Sequence, residues 1–156
     1  MSCAPFVSSP IEVVRKMLEL ANVGPDDVVY DLGCGDGRIL FTAVKEFHVK
    51  KAVGYEIRED LYKSTLNEVQ KQDLVERVHI INEDLFKANI SEATVITLYL
   101  TTTANERLKQ KLIDEARYGS RVVSHDFSIG GWYASKKESF SNHVIYLYTL
   151  PYAYKM

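Results

Sequence analysis

The run Val28-Val29-Tyr30-Asp31-Leu32-Gly33-Cys34-Gly35-Asp36-Gly37-Arg38 restricts this chain more than any other stretch. A short apolar β-run ends in an acid, a glycine-rich turn follows, and the next residues carry helical periodicity. Strand, loop and helix in that order make a nucleotide cradle. Glycines at 33, 35 and 37 let the backbone take positive φ and approach a ligand that any Cβ would hold off. A nicotinamide fingerprint wants a small residue where Arg38 stands and an apolar one where Asp31 stands. An acid at that point repels a pyrophosphate and suits a cationic amino group.

S-adenosylmethionine carries such an ammonium beside a cationic sulfonium, which makes it the expected ligand of the loop. The next segment, Lys51–Ile57, reads as a strand with Glu56 near its end. Glu56 falls about 20 residues beyond the loop, where nucleotide-binding folds place an acid on ribose hydroxyls; an ordinary solvated strand-end glutamate is the plain alternative. After a third strand at 78–82, Asp84 is placed to accept from an adenine amino group, with Phe86 beside the ring. The competing reading of Asp84 is a turn former.

Around this core the periodicity alternates. Ser9, Pro10 and Glu12 announce a helix with a capping box, and Ile11, Val14, Leu18 and Ala21 give it one buried face. Ile39, Leu40, Ala43, Val44 and Phe47 make a second helix, and residues 59–73 a third. The continuous apolar run Ala93–Leu100 is a strand buried on both faces, as in a parallel sheet. Helix 104–117 and strand 121–127 follow. Two last β-runs, 136–140 and 143–150, lie too close together for anything but an antiparallel hairpin. The order predicts a Rossmann-like, doubly wound α/β fold. It has a mostly parallel seven-stranded sheet, an antiparallel C-terminal hairpin strand and an N-terminal helix. A single domain over 1–156 is expected, with 1–25 as a lid segment and helix.

Composition narrows the partners. At 156 residues, 46% of them apolar, the chain can bury a real core. No apolar run reaches membrane-span length and no signal peptide is recognised, so a cytoplasmic monomer without membrane contacts is expected. A net charge of −2 argues against a nucleic-acid binder relying on broad positive potential. Cys3 and Cys34 make no disulfide framework, and Cys34 reads as small filler in the loop. The four histidines, 48, 79, 125 and 143, lack ligand spacing, so no metal site is expected.

On Asp31-Leu32-Gly33-Cys34-Gly35-Asp36-Gly37-Arg38, with Glu56 and Asp84, the chain resembles the class I, seven-stranded S-adenosylmethionine-dependent methyltransferases. It is most similar to the small archaeal protein-lysine methyltransferases. That narrower likeness rests on Val122–Trp132, on Ile90–Val95 and on Phe6-Val7-Ser8-Ser9-Pro10. The last segment departs from the family's aromatic-Val-Pro-Thr-Pro: Phe6 replaces tyrosine, Ser8 the inner proline and Ser9 the threonine. The resemblance implies cofactor contacts at Asp31, Gly33, Gly35, Glu56, Asp84 and Ser9, and protein substrates bearing exposed lysines, across a broad range. Leu98-Tyr99-Leu100-Thr101 stands where adenine-N6 and glutamine methyltransferases carry Asn-Pro-Pro-aromatic.

Methyl transfer to lysine needs a neutral amine in an apolar channel next to the donor. Phe6, Tyr99 and Trp132 are the candidate channel wall, and Tyr99 is also the candidate catalytic residue, accepting a hydrogen bond from the amine. All three read alternatively as core aromatics, and His125 reads as a satisfied structural histidine sooner than as a base. Two further readings stay open: a methyltransferase for a small molecule or RNA, and a nicotinamide-dependent oxidoreductase or non-catalytic cofactor-binding protein.

Overall fold

The computed structural model describes residues 8–155. In chain order it contains α1 (Ile11–Leu20), β1 (Val28–Leu32), α2 (Arg38–Phe47), β2 (Lys51–Tyr55), α3 (Glu59–Lys71) and β3 (Val78–Ile81). A 3-10 turn (Leu85–Lys87) precedes β4 (Val95–Leu98), α4 (Thr102–Glu115), β5 (Arg121–His125), β6 (Lys136–Phe140) and β7 (His143–Thr149). The strands form one sheet in the order β3-β2-β1-β4-β5-β7-β6. All pairings from β3 to β5 are parallel, and β7 runs antiparallel between β5 and β6. The expected doubly wound sheet with a terminal hairpin is therefore what forms.

Every residue of β1 and β4 is buried, which explains why their sequences are apolar runs instead of alternating patterns. On one face, Val14, Met17 and Leu18 of α1 and Leu40, Ala43 and Val44 of α2 pack with Val29, Ala52, Val95, Val123 and Ile145. On the other, Leu108 and Leu112 of α4 join Tyr30, Leu32, Ile96, Leu98, Val122 and Tyr148. The β3–β4 connection carries only the 3-10 turn, and its buried Ala88, Ile90 and Ala93 seal that second face.

Two helix starts differ from the expected ones. Pro10 is the N-cap of α1 and no side chain caps the helix; the Ser9 hydroxyl lies instead 2.8 Å from His125 Nδ1. A buried tertiary partner has displaced the local cap. Helix α4 begins at Thr102, ahead of the expected 104, because Thr101 Oγ1 accepts the Ala104 N–H at 3.1 Å.

Parallel register sets Gly54 of β2 beside Asp31 of β1. A Cβ on Gly54 would sit 2.6 Å from Leu40 Cδ1 and 2.7 Å from both Cβ and Sγ of Cys34. Helix α2 and the glycine loop can settle on the sheet only because that methyl is missing. Gly54→Ala is therefore expected to overpack this contact and lower stability by about 1–3 kcal/mol, read as a fall in the midpoint of urea unfolding.

Candidate functional site

The loop after β1 leaves the sheet at its carboxyl edge, beside the point where strand order reverses between β1 and β4. Gly33, Gly35 and Gly37 all have positive φ, at 87°, 54° and 81°. The loop is anchored from behind. Both Gly33 and Cys34 donate their N–H to Tyr55 O at 2.9 Å, and Thr65 Oγ1 donates to Gly35 O at 3.0 Å. Cys34 is buried against Gly54, in keeping with its reading as filler.

Asp31 is the penultimate residue of β1, with its carboxylate buried. Thr97, its register neighbour on β4, donates a hydroxyl to Oδ1 at 2.9 Å and is its one hydrogen-bond partner among the described residues. Burial first, then the nearby negative charges of Glu56 and Asp36, push the Asp31 carboxyl up to about 7; the Thr97 hydrogen bond pulls the other way. A buried carboxylate so poorly compensated, at a backbone cradle, suits a ligand carrying a cationic group.

The pocket around it is lined by Ser8, Ser9, Asp31, Gly33, Cys34, Gly35, Asp36, Arg38, Ile39 and Tyr99. Arg38, the residue that sets this loop apart from a dinucleotide fingerprint, pairs with Asp36 and donates from Nη1 to Ser9 O at 3.0 Å. The amino-terminal segment is thereby fastened over the loop. Tyr99 stacks on the buried His125 ring at 3.9 Å between centroids. Burial, then the Asp126 charge, raises the Tyr99 phenol above its ordinary range, so it stays protonated at neutral pH. Burial likewise lowers the His125 imidazole to about 4, with the Asp126 charge opposing and His143 assisting.

Ser9, Asp31, Gly33, Gly35 and Tyr99 thus come together in one pocket. Glu56 stands behind it: Oε1 accepts the Gly35 N–H and Oε2 the Arg58 N–H, both at 2.9 Å. Its brace on the loop was not anticipated. Asp84 caps the 3-10 turn by accepting the Phe86 N–H at 3.0 Å, as a turn former does, and Phe86 packs under the Arg107 guanidinium at 3.8 Å. Trp132 does not line the pocket. Its half-buried indole packs at 5.0 Å from the Tyr154 ring and 6.0 Å from Tyr148, at the edge of the second core face. Phe6 lies outside the described residues.

Sequence reasoning missed the company His125 keeps. His125, Asp126 and His143 converge, although 18 residues separate the two histidines. Only the β5–β7 pairing, in which His125 lies opposite Ile145, brings them together. Among the described residues no helix is long and apolar enough to cross a membrane.

Residues 31–136 match the family described as the ANTKMT methyltransferase domain. The chain is 48% identical over 150 residues to a protein-lysine N-methyltransferase of Saccharolobus islandicus (strain REY15A), covering 94% of this chain and 93% of the relative. The mouse adenine nucleotide translocase lysine N-methyltransferase is 29% identical over 82% of this chain, which spans only 55% of that longer protein. A solved structure, an RNA methyltransferase from Salinibacter ruber in complex with S-adenosyl-L-homocysteine, superposes with a TM-score of 0.90 at 41% identity. That match covers 93% of this chain and 94% of the other.

The raised Asp31 pKa has a testable sign. In the unfolded chain the carboxyl ionises near 3.8, whereas in the fold it holds its proton to about 7. Its contribution is favourable below the unfolded value and is lost as pH rises through 7. Asp31→Asn keeps the shape and removes the ionisation, so it is expected to stabilise the ligand-free protein at pH 8 by roughly a few kcal/mol. The gain should shrink as pH falls and vanish near pH 4, as thermal unfolding across that range would read.

Proposed function

The chain belongs to the ANTKMT methyltransferase domain family, and we propose that it methylates the side-chain amine of lysine residues in a broad range of proteins, using S-adenosylmethionine. The observation that carries the cofactor assignment is the buried, under-compensated Asp31 carboxylate at a positive-φ glycine cradle. The near-full-length likeness to a protein-lysine N-methyltransferase supports the acceptor.

The residues present fit this cofactor. Asp31 takes its ammonium, and the glycine backbone at 33 and 35 admits the chain that bears it. Each Glu56 oxygen spends one lone pair on a loop amide and keeps another for ribose hydroxyls. Asp84 retains Oδ2 for the adenine amino group, and Ser9 closes the pocket from the amino-terminal side. When bound, the cofactor supplies an electrophilic methyl group on its sulfonium.

The protein's own task is to present a neutral amine in line with that methyl. A lysine with pKa near 10.4 lies about 3.4 units from neutrality at pH 7, a cost of roughly 4–5 kcal/mol. Desolvation beside Tyr99 lowers it, and the protonated phenol offers its oxygen to the amine without acting as a base. The amine's proton goes to solvent. Within these 156 residues the sheet and its helices take up most of the chain, so recognition falls to residues 1–25 and the strand-end loops. We read the chain as one domain acting as a monomer in the cytoplasm.

RNA methylation is the second reading, favoured by the description of the Salinibacter ruber structure. The net charge of −2 weighs against it, since RNA affinity rests largely on phosphate neutralisation. Incubation with methyl-labelled cofactor and total cell extract is expected to label protein, with label on lysine by mass mapping and unaffected by ribonuclease. Label that disappears with ribonuclease, with lysine untouched, overturns the acceptor assignment.

A transfer that requires no dedicated base makes a second prediction. Single-turnover transfer to a lysine-rich protein should rise up to about tenfold per pH unit from pH 6 until the bound amine titrates. Tyr99→Phe should keep measurable activity and the same slope, while Tyr99→Ala should lose far more by opening the site to water.

A further inference from the structure

Beside the pocket, three side chains from two strand ends aim their heteroatoms at one another. His125 Nε2 lies 2.8 Å from His143 Nδ1, His143 Nδ1 lies 3.1 Å from Asp126 Oδ2, and His125 Nε2 lies 3.3 Å from Asp126 Oδ2. We propose that His125 Nε2, His143 Nδ1 and Asp126 Oδ2 form a binding site for a divalent transition metal ion of the zinc class. The inference is independent of the methyl-transfer reading.

The dimensions fit. Donors at about 2.0–2.1 Å from a metal stand about 2.9 Å apart on adjacent octahedral corners and about 3.3 Å apart on tetrahedral ones. The observed triangle of 2.8, 3.1 and 3.3 Å spans those two values. One face of a coordination shell is thus already assembled.

Proton counting points the same way. When His125 donates its Nδ1–H to Ser9 Oγ at 2.8 Å, its Nε2 presents a bare lone pair. Asp126 Oδ2 presents another, and His143 Nδ1 brings at most one proton for both. An ion at the centre satisfies all three acceptors at once, with His143 in its Nε2–H tautomer.

The outer partners are those a ligated site needs. Ser9 fixes the His125 ring from its far nitrogen. Asp126 Oδ1 accepts the Val144 N–H at 3.0 Å, which leaves Oδ2 for the ion. The Asp126 N–H in turn bonds Val144 O at 2.7 Å, so the carboxylate is held between the strands. His125 is fully buried, whereas the His143 and Asp126 side chains are 26% and 28% exposed, giving an ion a way in and water the remaining positions.

The donor set chooses among metals. Two imidazoles and one carboxylate suit zinc, cobalt, nickel or copper in the divalent state. Magnesium and calcium prefer shells of oxygen alone.

The test uses the full-length, untagged chain, freed of metal by a chelator and titrated with Zn2+ by calorimetry and with Co2+ by visible absorption. Saturable binding of one ion per chain is expected, undisturbed by excess Mg2+. His143→Ala and, separately, Asp126→Asn should each bind at least about tenfold more weakly, the lower bound known for loss even of outer-shell partners. His48→Ala and His79→Ala should bind as the parent does. Circular dichroism identifies which variants are folded, and either folded variant suffices. No saturable binding up to millimolar Zn2+, or parental affinity in a folded His143→Ala or Asp126→Asn protein, overturns the site. So does loss of binding in the His48 or His79 variants.

Discussion

A carboxylate buried at the end of a central strand, with one hydroxyl to answer it, is the constraint on which the rest of this molecule turns. Burying a charge costs several kcal/mol unless it is well paired, and Asp31 has only Thr97 among the described residues. The fold tolerates this because β1 is clamped between two parallel neighbours and every other residue of that strand is apolar and buried. The core of both faces holds in place a group that the core itself does not want. Sites that bind charged ligands are commonly among the least self-satisfied parts of a protein, and Asp31 is such a group here.

Around Asp31 the supporting residues form a second tier behind the loop. Gly54 makes room under the loop, Tyr55 O receives two of its amides, and Glu56 receives a third. Three consecutive residues of β2 and its exit thus set the shape of a loop that belongs to β1. The glycines supply the required φ values; β2 decides which of the conformations open to them is used.

Much of this was legible because it is local or periodic. The glycine loop, the acid before it and the alternation of strand and helix are written within windows of a few residues, and Asp31, Gly33 and Gly35 sit where that pattern puts them. What escaped depended on partners far along the chain. Ser9 carries every local mark of a cap, yet a histidine 116 residues away takes its hydroxyl. Trp132 belongs to a loop whose neighbours, Tyr148 and Tyr154, are delivered only by the returning strand β7 and the segment after it. His125 and His143 have no spacing that a motif would register, since a hairpin's register, not a helical turn, makes them adjacent. Antiparallel closure after a parallel sheet is where periodicity stops being informative about who meets whom.

Ser9 is gripped twice, its carbonyl by Arg38 from the loop after β1 and its hydroxyl by His125 from the end of β5. Those grips come from opposite sides of the cleft where the strand order reverses. One residue is therefore a rivet through both halves of the sheet's carboxyl edge, on the wall of the pocket. Losing either contact alone leaves Ser9 tethered to the other half, so both must break before it can leave the cleft.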